Sequence, residues 1–201
     1  MKQAAKAARP KGPNSIFVFK ISIKGIRPQI WRSVQVPGDF SLADFHHVIQ
    51  RAMGWYNAHL HSFTIEKETY SDDLSNDRSG FGEDAEDESV TLERLGLEAK
   101  QRFLYTYDFG DNWDHQILVS KILPAQQCSQ EDRLYPLCLK GERACPPEDC
   151  GGVYGYDEVM EALKNPEAES SADWTEWLGT YDPEFFDIDA VNKRLREEPA
   201  G

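Results

Sequence analysis

Tyr105-Thr-Tyr-Asp-Phe-Gly-Asp-Asn-Trp-Asp-His115 reads as a β-hairpin that turns a histidine inward and gathers three aspartates. Phe103, Tyr105 and Tyr107 alternate into Gly110-Asp111-Asn112, a tight-turn sequence, and Trp113, His115, Ile117 and Val119 alternate out of it. A three-residue loop over 110–112 pairs Phe109 with Trp113, Tyr107 with His115, Tyr105 with Ile117 and Phe103 with Val119. One face is then aromatic and apolar, with His115 inside it. The other sets Asp108 across from Asp114 with Asp111 at the tip. Like charges so placed are destabilising unless a cation or a basic side chain joins them.

Working outward, residues 16–23 alternate as a strand with Phe17, Phe19, Ile21 and Ile23 on one face. Gly25-Ile-Arg-Pro28 turns the chain, and Ile30, Val34 and Val36 continue in a second strand that Pro37-Gly-Asp ends. Ser41 opens a helix with Asp44 placed for a capping box, and Gly54 closes it. Leu42, Phe45, Val48, Ile49, Ala52 and Met53 keep helical spacing between them. A third strand is expected over 59–66 and a short helical turn over 91–97. The acidic stretch 71–90 reads as a solvated loop. Helices are expected over 157–164, 174–178 and 188–196, with Trp174, Trp177, Phe185 and Phe186 packing them onto the sheet.

This order, hairpin, helix, strand, short helix, strand, strand, resembles the β-grasp arrangement of ubiquitin-like domains. The expected fold class is α+β, a β-grasp-like mixed sheet on one main helix with a C-terminal helical extension. Residues 1–14 form a disordered basic tail, 15–123 the core, and 124–201 a Pro- and Cys-bearing loop plus helices packed on that core, a single domain overall.

Composition narrows the function. No apolar run nears the ~20 residues that span a bilayer, and the N-terminus lacks the apolar region of a secretory signal. Four cysteines in 201 residues do not make a disulfide scaffold, so the reducing cytoplasm is the expected compartment. Residues 1–40 carry eight basic residues against Asp39 alone. With −13 for the whole chain, that surplus of seven leaves −20 on the remainder, which repels nucleic-acid phosphate. Nucleic acid and membrane are thus both poor partners.

Four motifs coincide along the chain: Ile30-Trp-Arg32; Met53-Gly-Trp55 leading into His59-Leu-His61-x-Phe63; Asp108-Phe-Gly-Asp111-x-Trp-x-His115; and Gly141-Glu-Arg-Ala-Cys-Pro-Pro-Glu-Asp-Cys-Gly-Gly-x-Tyr-Gly-Tyr156. Together they resemble the plasmid ORF-three-like, pRiA-type family over roughly residues 15–195. Members are also described as passenger proteins of insertion elements, some as TnpR-like. A resolvase role requires a nucleophilic serine among clustered arginines, which no serine here has.

The candidate chemistry lies in these motifs. His59 and His61 project to one side of a strand and, with His115 and Asp108 or Asp111, make a candidate site for zinc, or for manganese or iron in a mixed N/O site. Core histidines satisfied by carbonyls and tyrosines are the simpler reading. Asp108, Asp111 and Asp114 can hold magnesium, or else serve the turn. Cys138, Cys145 and Cys150 are candidates for structural zinc, although they and Cys128 lack a C-x-x-C knuckle, which favours free thiols. Trp55 and Trp113 are candidates for stacking on a ligand. With no nucleophile–base pair, phosphate loop or strong metal motif, the leading reading is a non-enzymatic binding or accessory module of mobile elements, recognising a protein or small ligand. The alternative is a metal-dependent hydrolase, a phosphoesterase or nuclease, with Asp108, Asp111 and His115 as catalytic candidates. That alternative requires His59, His61 and His115 to converge on one centre.

Overall fold

Phe17, Phe19, Ile21 and Ile23 bury together along one face of β1 (Ser15–Ile23), as their alternation dictates. The computed structural model describes residues 13–71, 86–125, 135–168 and 171–197. Beside β1 it places β2 (Trp31–Pro37), β3 (His61–Ile65), β4 (Glu68–Tyr70), β5 (Arg102–Tyr107), β6 (Trp113–Pro124) and β7 (Leu137–Glu142). The seven strands run in the order β4-β3-β5-β6-β1-β2-β7. Every neighbouring pair is antiparallel. The α+β class therefore holds, while the seven strands of the described residues form an antiparallel sheet with none of the parallel strand pairing of a β-grasp sheet. Apolar alternation marks a strand without marking its direction, so element order alone does not separate the two arrangements.

α1 (Leu42–Met53) fills the inner face of the sheet. Ser41 caps it, accepting from the Asp44 amide while the Asp44 carboxylate accepts from the Ser41 amide, and Gly54 ends it in the left-handed region. Phe45 sits between Phe19, at 4.5 Å between ring centres, and Phe63, at 5.9 Å. The chain closes with α2 (Gly152–Lys164), α3 (Ala172–Leu178) and α4 (Ile188–Arg196). The Asn192 side chain of α4 accepts from the Cys138 amide at 2.7 Å and donates to its carbonyl at 3.0 Å, pinning α4 to β7. No helix among the described residues is long and apolar enough to cross a membrane.

Three local expectations change. The hairpin register is offset by two: Tyr107 faces Trp113, Tyr105 faces His115 and Phe103 faces Ile117. A shift of two keeps each side chain on its face and exchanges every partner. Asp114 thus faces Thr106, whose hydroxyl donates to it at 2.8 Å, and Lys24 meets its other oxygen at 3.0 Å. Within 124–152, β7 joins the sheet as an edge strand on β2. Trp177 and Phe185 do not pack onto the sheet; they are 50% and 60% exposed, whereas Trp174 and Phe186 do pack against the core. The basic tail over 1–12, most of the acidic loop and Cys128 lie outside the described residues.

Candidate functional site

Three distant segments meet at the tip of the β5–β6 hairpin. Asp108 leaves β5 in the left-handed region, at φ 55°, and its amide donates to the Leu60 carbonyl at 2.9 Å. That bond ties the hairpin to the segment before β3. The Asp108 Oδ1 atom accepts from the Gly110 and Asp111 amides at 2.9 and 3.3 Å, which fixes the carboxylate. The loop after β7 closes over the same tip: the Gly151 amide donates to Asp111 Oδ2 at 3.0 Å. Gly152 makes this approach feasible, since a Cβ there would lie 2.3 Å from the Asp111 carbonyl oxygen.

The outcome is a cluster of His59, Asp108 and Asp149, whose ligand atoms all lie within 4.8 Å of one another. His59 Nε2 is 2.9 Å from Asp149 Oδ1 and 3.7 Å from Asp108 Oδ2. Despite that proximity, Nε2 is a buried atom that makes no hydrogen bond of good geometry. It is the only such cluster of three or more metal-ligating side chains among the described residues. His59 and Asp108 stand in it as the sequence reading has them, and Asp149 is added.

The remaining candidates go elsewhere. β3 begins at His61, so the period-two rule does not reach back to His59, and the two histidines diverge. His61 turns into the core, with Nε2 at 3.0 Å from Glu88 Oε2, both side chains being buried. Its ring stacks on His46 at 3.5 Å between centres. His46 in turn belongs to a closed polar circuit. Gln50 donates to the Tyr105 hydroxyl at 2.9 Å, that hydroxyl donates to His46 Nδ1 at 2.8 Å, and His46 Nε2 donates to Asn57 Oδ1 at 2.5 Å. The Asn57 amide returns to Gln50 Oε1 at 3.1 Å. Burial pushes His46 down to about 2, with the His61 ring beside it acting in the same direction.

His115 has no exposed surface and lies between Tyr105 and Trp55. Its Nδ1 donates to the Trp113 carbonyl at 2.8 Å, and burial lowers its pKa to about 4. His59, His61 and His115 therefore do not converge, and a hydrolase centre built on all three is excluded by position. Nor do the aspartates form a trio: Asp111 accepts from Gly151 and Asp114 pairs with Lys24. Cys138, Cys145 and Cys150 form no metal cluster either. Burial holds Cys145 and Cys150 as thiols, pushing Cys150 up to about 12. Trp113 is fully buried and Trp55 is 7% exposed, so Trp113 is core and only the edge of Trp55 is open.

Trp55 Nε1 donates to the Pro146 carbonyl at 3.0 Å, and Glu148 accepts from both the Tyr107 hydroxyl and the Tyr56 amide. These bonds dock the 144–149 loop against the end of α1 and leave a cleft of about 600 Å³ between that loop, α3 and α4. Tyr56, Trp177 and Phe185, exposed by 86%, 50% and 60%, line it. Arg32 forms its floor: 3% exposed, it donates to the carbonyls of Trp31, Ala52, Glu142 and Arg143, and Phe186 covers its guanidinium at 4.6 Å. It therefore joins β2, α1 and the loop after β7. Asp149, Glu148 and Glu88 were not distinguishable in the sequence as site residues, because each sits in an acidic or Pro-rich run with no period of its own.

Comparison with known proteins gives a consistent result. Residues 15–190 match the family described as plasmid pRiA4b ORF-3-like protein. An uncharacterized protein of Sinorhizobium fredii, y4hQ, is 35% identical over 184 residues, which is 90% of this chain and 91% of the relative. The crystal structure of a protein of unknown function from Methanosarcina mazei Go1 is similar with a TM-score of 0.77 and 38% identity, covering 89% of this chain and 97% of that one.

Proposed function

The chain belongs to the plasmid pRiA4b ORF-3-like family, and from that premise we propose that it is a non-enzymatic binding module, associated with mobile elements, whose cleft receives a protein segment or small ligand. The observation that carries this reading is the set of exposed aromatic side chains, Tyr56, Trp177 and Phe185, gathered around one concavity of about 600 Å³. Large aromatics left in water at a hollow are what a recognition surface needs, because each buries a large area on contact while losing few rotamers. The groups beneath them are already engaged. Arg32 donates to carbonyls and Glu148 accepts from Tyr107 and Tyr56, so these groups hold the walls in place and are not free for proton transfer. The plasmid in the family's description supports the link to mobile elements.

Peptide display on the immobilised protein tests this directly. Enriched sequences should bind the native protein and lose affinity for Trp177→Ala and Phe185→Ala, both exposed positions whose loss leaves the core intact. Failure to enrich any sequence, together with turnover of a chromogenic phosphoester, would replace the binding module with an enzyme.

A further inference from the structure

We infer that His59, Asp108 and Asp149 form a binding site for one divalent transition-metal cation, of the manganese or zinc class, in the wall beside the cleft. This inference stands independently of what fills the cleft. It rests on the positions of three ligand atoms and on one buried ring nitrogen left without the partner that its burial demands.

That ring nitrogen is His59 Nε2. It is buried and makes no hydrogen bond, although Asp149 Oδ1 lies only 2.9 Å away. A protonated imidazole engaged in a simple ion pair would point its N–H at that oxygen. Here the oxygen lies close but off the ring nitrogen's axis, as it would if both atoms were aimed at a third centre. Beside it stands Asp108 Oδ2. Asp108 is 8% exposed, and its other oxygen takes the Gly110 and Asp111 amides. Oδ2 faces His59 Nε2 at 3.7 Å and accepts no hydrogen bond from the described residues. With Oδ1 fixed by those amides, Oδ2 is left to ligate beside His59 Nε2 and Asp149 Oδ1.

The separations agree with a shared ion. Ligands bound at ~2.0–2.1 Å in a tetrahedron lie about 3.3 Å from one another, and the separations of 2.9 and 3.7 Å fall on either side of that value. Two carboxylates and one neutral imidazole balance a charge of +2. One nitrogen with two oxygens suits the borderline cations, manganese and zinc, better than calcium or magnesium, which prefer oxygen alone. The scaffold is also set without the ion: the Asp108 amide is held by Leu60, and the Asp149 loop is held to the hairpin by the bond from Gly151 to Asp111. Asp149 lines the 600 Å³ cleft, while His59 lines a second hollow of about 420 Å³ with His46, His61 and Glu88. An ion there keeps open positions accessible from these hollows.

The test uses manganese alone, added to the untagged full chain after chelation, with free Mn²⁺ followed by electron paramagnetic resonance. Manganese avoids the thiols that zinc would seek. The site predicts one equivalent bound by the native protein, and at least a tenfold loss of affinity in Asp149→Asn and in His59→Gln. Asp149 is exposed, so its variant keeps the fold, and unchanged melting of both variants without metal confirms that. Melting of the native protein should rise with Mn²⁺ while that of the variants should not. No stoichiometric binding, or binding that both variants retain, would overturn the assignment and leave His59 as an ion-pair partner of Asp149.

Discussion

Acidification should destabilise this protein through two histidines that the fold holds neutral. His46 and His115 are 2% and 0% exposed, and burial lowers their pKa values to about 2 and about 4. In the unfolded chain both titrate near ~6.5. Below that value the unfolded state takes up protons that the native state refuses, so stability falls as pH drops and is recovered above it. Each such histidine contributes a slope of about 1.4 kcal/mol per pH unit until its own folded pKa is reached. At about pH 5 each has removed about 2 kcal/mol, and the pair about 4 kcal/mol, a large share of the ~5–15 kcal/mol typical of a domain. Replacing His115 with Phe isolates one of the two. The variant gives up the bond to the Trp113 carbonyl, a roughly constant loss of about 1 kcal/mol, yet it no longer has the proton to refuse. Urea unfolding of both proteins at about pH 7.5 and pH 5 should show the native protein losing about 2 kcal/mol more than His115→Phe over that interval. Carboxylates titrate alike in both and cancel. Parallel pH dependence in the two proteins would refute the reasoning.

Arg32→Lys should destabilise by about 3 kcal/mol in chemical denaturation, because one ammonium cannot reach all four carbonyls that the guanidinium satisfies. Gly152→Ala should lower stability by about 3 kcal/mol, since φ is +69° there and the new Cβ would meet the Asp111 carbonyl oxygen at 2.3 Å. Backbone amide shifts at Asp111 and Gly151 should report the loop parting from the hairpin. Ser41→Ala removes the acceptor for the Asp44 amide and should cost about 1 kcal/mol, read as a drop in melting temperature with no change in metal or peptide binding.

Legibility in the sequence followed the range of each interaction. α1 could be read almost to the residue, because Ser41, Asp44 and Gly54 cap it through contacts within one turn. The inward faces of β1, β5 and β6 were equally plain from alternation. Register was not: an offset of two leaves Tyr105, Tyr107 and His115 facing inward, so only the loop conformation of Asp108 and Asn112, both with positive φ, decides the partners. β7 was hidden by Lys140-Gly141-Glu142, since an edge strand needs no apolar face on its open side. Two of the three site residues were legible in the same way. His59 and Asp108 stood out in short motifs, but Asp149 reaches them only because the Gly151-Gly152 turn docks onto the hairpin tip, a contact between residues 40 positions apart. The H-x-H spacing misled for a simple reason: it presumes a strand under both histidines, and β3 starts at the second.

Crystals of the chelated protein soaked in manganese, measured with anomalous scattering, test the convergence of these motifs most directly. A single strong peak is expected about 2.1–2.2 Å from His59 Nε2, Asp108 Oδ2 and Asp149 Oδ1. An empty cluster at saturating manganese, or a peak elsewhere on the molecule, would contradict it.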